Sequence, residues 1–160
     1  MELHNTKIDL AKGKREKLIG LLNQSLADAS DLKSQAKQAH WNVKGPNFIA
    51  LHELFDRVAA EVEVHIDDIA ERVTVLGGTA MGTVRMAAER SSLSEYPLEI
   101  TDGTAHVDAL STALADFGKK ARKNIEATDE LGDADTADLY TEISRGIDKL
   151  LWLVEAHQQA

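Results

Sequence analysis

The chain has 160 residues, a formal charge of −9, no cysteine, two prolines and only 4% aromatic residues. That length suits one domain burying roughly two thirds of its surface, and the missing cysteines exclude a disulfide framework, a thiolate zinc site and a thiol nucleophile. The acidic balance argues against a surface that binds nucleic acid wholesale and suits one that attracts cations.

Residues 1–12 read as an arm, and Lys7, Lys12, Lys14, Arg15 and Lys17 supply five positive charges near the start of the chain, against Glu2, Asp9 and Glu16. Ile8 and Leu10 could dock this arm on the body of the protein. From about Gly13 to Val43, Leu18, Leu21, Leu22, Leu26, Ala29, Leu32, Ala36 and Ala39 recur at three and four, which predicts an amphipathic helix. Gly45 and Pro46 stop it, and a second helix is expected over Asn47–Leu76, with Asn47 as its cap and Gly77-Gly78 as its end. Residues 79–100 hold a short helical stretch, Thr83–Arg90, inside a connection long enough to cross a bundle. Thr101 or Asp102 caps a third long helix to Thr128, packed through Val107, Leu110, Leu114, Phe117, Ala121 and Ile125. The fourth, Asp135–His157, packs through Leu139, Ile143, Ile147, Leu150, Leu151 and Val154. The fold class is therefore all-α: a ferritin-like four-helix bundle whose long crossover, carrying a short helix, joins helices two and three. Residues 13–158 form the one domain, and no apolar run approaches the ~18 residues of a membrane span, nor does the start resemble a signal peptide. A cytoplasmic protein is expected.

The second long helix carries His52, Asp56, Asp67 and Glu71, two pairs each four residues apart on one stripe about 100° wide. Histidine beside carboxylate is the donor set of a transition-metal site. Asp56 and Asp67 are separated by about 16 Å at ~1.5 Å per residue, while metal–ligand bonds are only about 2.0–2.2 Å. Either the helix carries two half-empty sites, or two copies pair antiparallel about an axis near Glu61 and Val62 and complete each other's sites. The second arrangement is preferred because isologous dimers are the commonest oligomers.

Each candidate has a blander reading. His40, beside Trp41, is by itself an ordinary helix-terminal histidine; the tight turn brings it back towards His52 and Asp56. Asp67 and Glu71 alone are solvated surface acids, and their phase match is what lifts them. His65 lies about 220° off the stripe and is expected at the surface or an interface. His4, His106 and His157 lack a carboxylate at ligand spacing, and Glu63 reads as a solvated or interfacial acid. None of the six histidines follows a glutamate by three residues, so an intrasubunit di-iron centre of the Glu-x-x-His type is not expected.

AHWNVKGPNFIA (39–50), HELFD (52–56) and DDIAER (67–72), continued by DTADL (135–139) and SRGIDKLLW (144–152), resemble the Dps proteins, the mini-ferritins named as DNA-binding proteins from starved cells. The likeness runs from about residue 20 to the end. It implies a homododecameric cage with ferroxidase centres at its two-fold interfaces: His40, His52 and Asp56 from one subunit, Asp67 and Glu71 from its mate, Trp41 flanking. The substrates it implies are Fe2+ and hydrogen peroxide, with ferric mineral stored inside, and zinc as a substitute ion. It also implies acidic iron-entry pores, here Asp133, Asp138 and Glu142, whose bland reading is helix-start acidity. The competing function is DNA compaction in the nucleoid through the basic arm, for which the candidate contacts are Lys7, Lys12, Lys14, Arg15 and Lys17. A catalytically silent interaction protein on the same bundle is the third reading.

Overall fold

The computed structural model describes residues 3–159. Five helices follow one another: α1 (Lys12–Asn42), α2 (Phe48–Val75), α3 (Val84–Arg90), α4 (Gly103–Glu130) and α5 (Ala134–Glu155). Among the described residues there is no strand, and no helix is long and apolar enough to cross a membrane. α1 packs chiefly on α2 and α4 on α5, so the bundle consists of two hairpins. The expected apolar faces form the interior: Leu18, Leu22, Leu26, Leu32, Val107, Leu110, Leu114, Ile143, Ile147 and Leu150 are all buried. Fully burying one such side chain stabilises by about 1.5–3 kcal/mol relative to exposure. Leu139, Leu151 and Ile125 sit at its edge. Tyr140, absent from the expected face, is among the largest fully buried side chains.

The helix ends have local causes. α1 stops before the turn in which Gly45 takes φ 112°. Asn47 stands at the α2 N-cap, but its side chain caps nothing, contrary to expectation. α2 closes in a Schellman arrangement, with Gly77 N–H donating to Thr74 O at 2.9 Å and Gly78 N–H to Val73 O at 2.9 Å. Gly77 carries φ 86° there, a conformation that glycine adopts without steric cost. The arm docks at this corner: His4 N–H donates to Gly77 O at 2.8 Å, and Leu3 and Leu10 pack against the core. Asp102 caps α4 through Ala105 N–H at 3.0 Å.

Lys44 N–H donates to Thr101 O at 2.8 Å, joining the α1–α2 turn to the start of α4. α2 and α4 therefore begin at the same end of the bundle, and residues 76–102 must travel its length. A row of polar residues on α1 guides that crossing. Asn23 donates to Thr79 O and accepts from Met81 N–H; Gln24 donates to Arg90 O; Asp28 accepts from Ser92 N–H; Gln35 donates to Ser94 O. Asp28 and Gln35 are buried, so these bonds also satisfy groups that would be costly to leave unpaired.

Candidate metal centre

The turn at residues 43–47 folds the start of α2 back on the end of α1, and His40 meets His52. Their rings stack with centroids 3.7 Å apart and planes at 21°. His40 Nδ1 lies 2.7 Å from His52 O, and His52 Nδ1 lies 2.8 Å from His40 O. A carbonyl oxygen only accepts, so both Nδ1 atoms carry hydrogen and donate. In the neutral ring, each Nε2 is then left as a bare lone pair, the form that ligates metal. The reciprocal bonds also lock both ring orientations. The Phe48 ring packs tilted against His52, 5.1 Å between centroids. It was not singled out from sequence, although Phe48, His52 and Asp56 share a four-residue spacing.

Asp56 follows one turn after His52 and is exposed. Lys37 Nζ donates to its Oδ1 at 2.5 Å and also stands 5.7 Å from the Trp41 ring centre. The hydrogen bond from Lys37 holds the Asp56 carboxyl below the usual aspartate range, aided by the nearby charge of Lys37 and the two histidines and opposed by partial desolvation. Asp56 is thus anionic before any ion arrives. Trp41 is exposed beside the pair, as are Phe48 and Ile49.

At the other end of α2, Asp67 and Glu71 are exposed and make no side-chain hydrogen bond or ion pair among the described residues. Within one chain, no three His, Asp or Glu side chains of the described residues gather in a group that could hold a metal ion. The structure thus brings His40, His52 and Asp56 to one end of α2 and leaves Asp67 and Glu71 at the other. Glu63, between them, is ion-paired with Lys33.

Three expectations change. His65, expected at the surface or an interface, is buried within the chain: it faces α5 where Gly146 has no side chain, and a Cβ there would come within 2.8 Å of its Nε2. Burial lowers its pKa, against the pull of Asp68, Glu142 and Glu61. Asp133 is not a free surface acid in the single chain. It is buried, caps α5 through Thr136 N–H at 3.2 Å, accepts from the Thr136 hydroxyl, and pairs with Arg72 at 2.8 Å. Asp138 and Glu142 are exposed. Arg15 is buried and donates to Leu76 O at 2.9 Å and Leu10 O at 3.2 Å, so it ties α1 to the arm and to the end of α2 instead of facing solvent. Lys7, Lys12, Lys14 and Lys17 are exposed.

Residues 19–160 match the family described as the ferritin-like domain. A DNA protection during starvation protein of Agrobacterium fabrum is 46% identical over 159 residues, covering 99% of this chain and 98% of the relative. A Mycobacterium smegmatis Dps structure superposes with a TM-score of 0.93 at 31% identity, covering 98% of this chain and 96% of that one. A Dps from Microbacterium arborescens, solved in a high iron form, gives a TM-score of 0.86 at 31% identity over 92% of this chain and 96% of that one.

Proposed function

The chain belongs to the Dps family of ferritin-like proteins, and on that premise we propose that it is an iron-sequestering ferroxidase. It works as a cytoplasmic homododecameric cage, oxidises Fe2+ with hydrogen peroxide in preference to oxygen, stores the ferric product as mineral, and so limits oxidative damage. The observation that carries this reading is the stacked pair His40–His52, whose mutual carbonyl bonds free both Nε2 lone pairs in one place. Asp56 adds an anionic oxygen, and Asp67 and Glu71 of the partner subunit complete the five donors, with Trp41 flanking. The exposed apolar side chains of Trp41, Phe48 and Ile49 around the histidines fit a surface that another copy covers.

Two imidazoles and three carboxylates suit Fe2+, and zinc as its substitute, but are few for two ions, so one is held tightly and the other loosely. Two electrons leave together from paired ferrous ions, and with two protons one peroxide becomes two waters without releasing hydroxyl radical. Asp138 and Glu142, one turn apart on α5, serve as the entry acids; Asp133 only shapes the helix that carries them. The test is stopped-flow oxidation of Fe2+ by hydrogen peroxide. His40→Ala/His52→Ala is expected to lose more than the roughly 10–100-fold that follows loss of a ligand's supporting hydrogen bond. An unchanged rate overturns the reading.

DNA binding is the second reading, favoured by the exposed Lys7, Lys12, Lys14 and Lys17. It places part of the protein on the nucleoid. Glutamine at these four positions would abolish a salt-sensitive gel shift if the arm holds DNA; a shift that survives assigns it elsewhere.

A further inference from the structure

The chain has two tyrosines, and their settings are opposite. Tyr140 is 1% exposed in the core, its hydroxyl 2.9 Å from Ser25 Oγ, which accepts in turn from Asn124 at 3.2 Å. Burial pushes its phenol up to about 12. The partners hydrogen-bonded at that hydroxyl are neutral, and the Asp28 carboxylate acts on it only through its charge. Tyr96, on the crossover, has its hydroxyl 2.7 Å from Nδ1 of His106. The two rings lie nearly parallel, 18° apart in plane with centroids 6.0 Å apart.

His106 is 1% exposed, in the first turn of α4, with the Phe55 ring of α2 tilted against it at 6.4 Å between centroids. Its Nε2 is buried and makes no well-formed hydrogen bond, although the carbonyls of Asn42 and Ile100 lie near the ring. Burial raises the Tyr96 phenol above the usual tyrosine value and lowers the imidazole, while the carbonyls of Asn42 and Ile100 favour the protonated ring. Both groups are therefore neutral at rest, with the phenol donating to Nδ1. The pair lies inside the distance of about 2.6–3.2 Å at which a positioned base takes a proton. Removing an electron from a phenol makes it a very strong acid. Such a group is hard to oxidise unless its proton has somewhere to go, and here it has.

We propose that Tyr96 and His106 form a redox site, a one-electron donor in which the phenolic proton crosses to His106 Nδ1 as the electron leaves. The O–H bond breaks, the tyrosyl radical keeps the oxygen, and imidazolium holds the proton. The electron reduces a hydroxyl-radical-class oxidant to hydroxide, which takes a solvent proton to become water. A later electron from a ferrous ion, with the proton returned from His106, restores the phenol. The pair stands on its own geometry. Only its natural oxidant, the hydroxyl radical formed when peroxide meets a single ferrous ion, rests on the ferroxidase reading.

The experiment uses the intact, metal-free assembly, oxidised by photogenerated ruthenium(III) tris-bipyridine and examined by electron paramagnetic resonance, with ring-deuterated tyrosine separating tyrosyl from tryptophanyl signals. A tyrosyl radical is expected that survives Tyr140→Phe and disappears in Tyr96→Phe. His106→Gln should lower its yield by about a hundredfold, the low side of what a positioned base contributes. A tyrosyl signal that persists in Tyr96→Phe, a signal only from tryptophan, or no radical overturns the proposal. The labelled Tyr140→Phe protein, which leaves the pair intact, carries the test if Tyr96→Phe does not fold. In a second arm with Fe2+ and peroxide, Tyr96→Phe should release more spin-trapped hydroxyl radical than the parent. Equal release would overturn the oxidant assignment alone, because the iron-free arm is independent of it.

Discussion

The two ends of α2 carry the same kind of residues and treat them differently. At its start, His40 and His52 hold each other's main chain and Lys37 holds Asp56, so every donor has a fixed neighbour. At its end, Asp67 and Glu71 stand exposed without partners among the described residues. One end is pre-arranged by its own chain. The other offers charge to whatever approaches. Two copies laid antiparallel would put the arranged end of one against the open end of the other.

The sharpest way to break that contrast is to separate the two ends on different chains. His40→Ala/His52→Ala and Asp67→Asn/Glu71→Gln should each abolish peroxide-driven iron oxidation. Co-assembled in equal amounts, they should regain roughly a quarter of the parental rate, since random pairing about a two-fold axis leaves one centre in four intact. No recovery in mixed cages would mean that each chain builds its centre alone. The open end has a scaffold of its own in Arg72, which lies one residue after Glu71 and reaches the buried Asp133 on α5. Arg72→Ala strands that carboxylate and should cost about 3 kcal/mol in denaturant unfolding, the low side of what breaking a buried pair costs. Burial depresses the pKa of His65, between the two ends. Its folded-state value lies below the unfolded one of about 6.5, so its contribution is complete above that pH and is lost as pH falls towards the folded value. Thermal unfolding from pH 7.5 to 5 should show an acid limb that flattens in His65→Gln. The smallest effect is expected at the arranged end. Lys37→Gln should let Asp56 titrate closer to an ordinary aspartate, read by carboxyl NMR, with the His40–His52 resonances unmoved.

Periodicity was enough to read the bundle, because a helix that buries one stripe repeats it in its sequence. Leu18, Leu22, Leu26, Ala29, Leu32, Ala36 and Ala39 are buried as spaced, as are Val107, Leu110, Leu114, Phe117 and Ala121, while Leu21 of the expected face is only half-buried and outside the core. The His40–His52 pairing was also legible, since a five-residue turn leaves two helix ends little choice but to meet. Burial of polar groups was not. The angle of His65 from the metal stripe says nothing of its burial, because α2 also meets α5, where Gly146 makes room for a ring. Arg15 belongs by type to the basic cluster, but it stands three and four residues before Leu18 and Ile19, on the apolar face. Asp133 has its signal in Thr136, three residues on, whose N–H it accepts from as an N-cap. Asn47 had the right residue type for a cap and makes no such bond.

The side chains of Asn23, Gln24, Asp28 and Gln35 reach chiefly for main-chain atoms of the crossover. What they recognise is the route of the polypeptide and not its lettering. Mutations along residues 79–94 can therefore accumulate with the path between the hairpins unchanged, while a single loss on the α1 side would release the thread at a defined stitch.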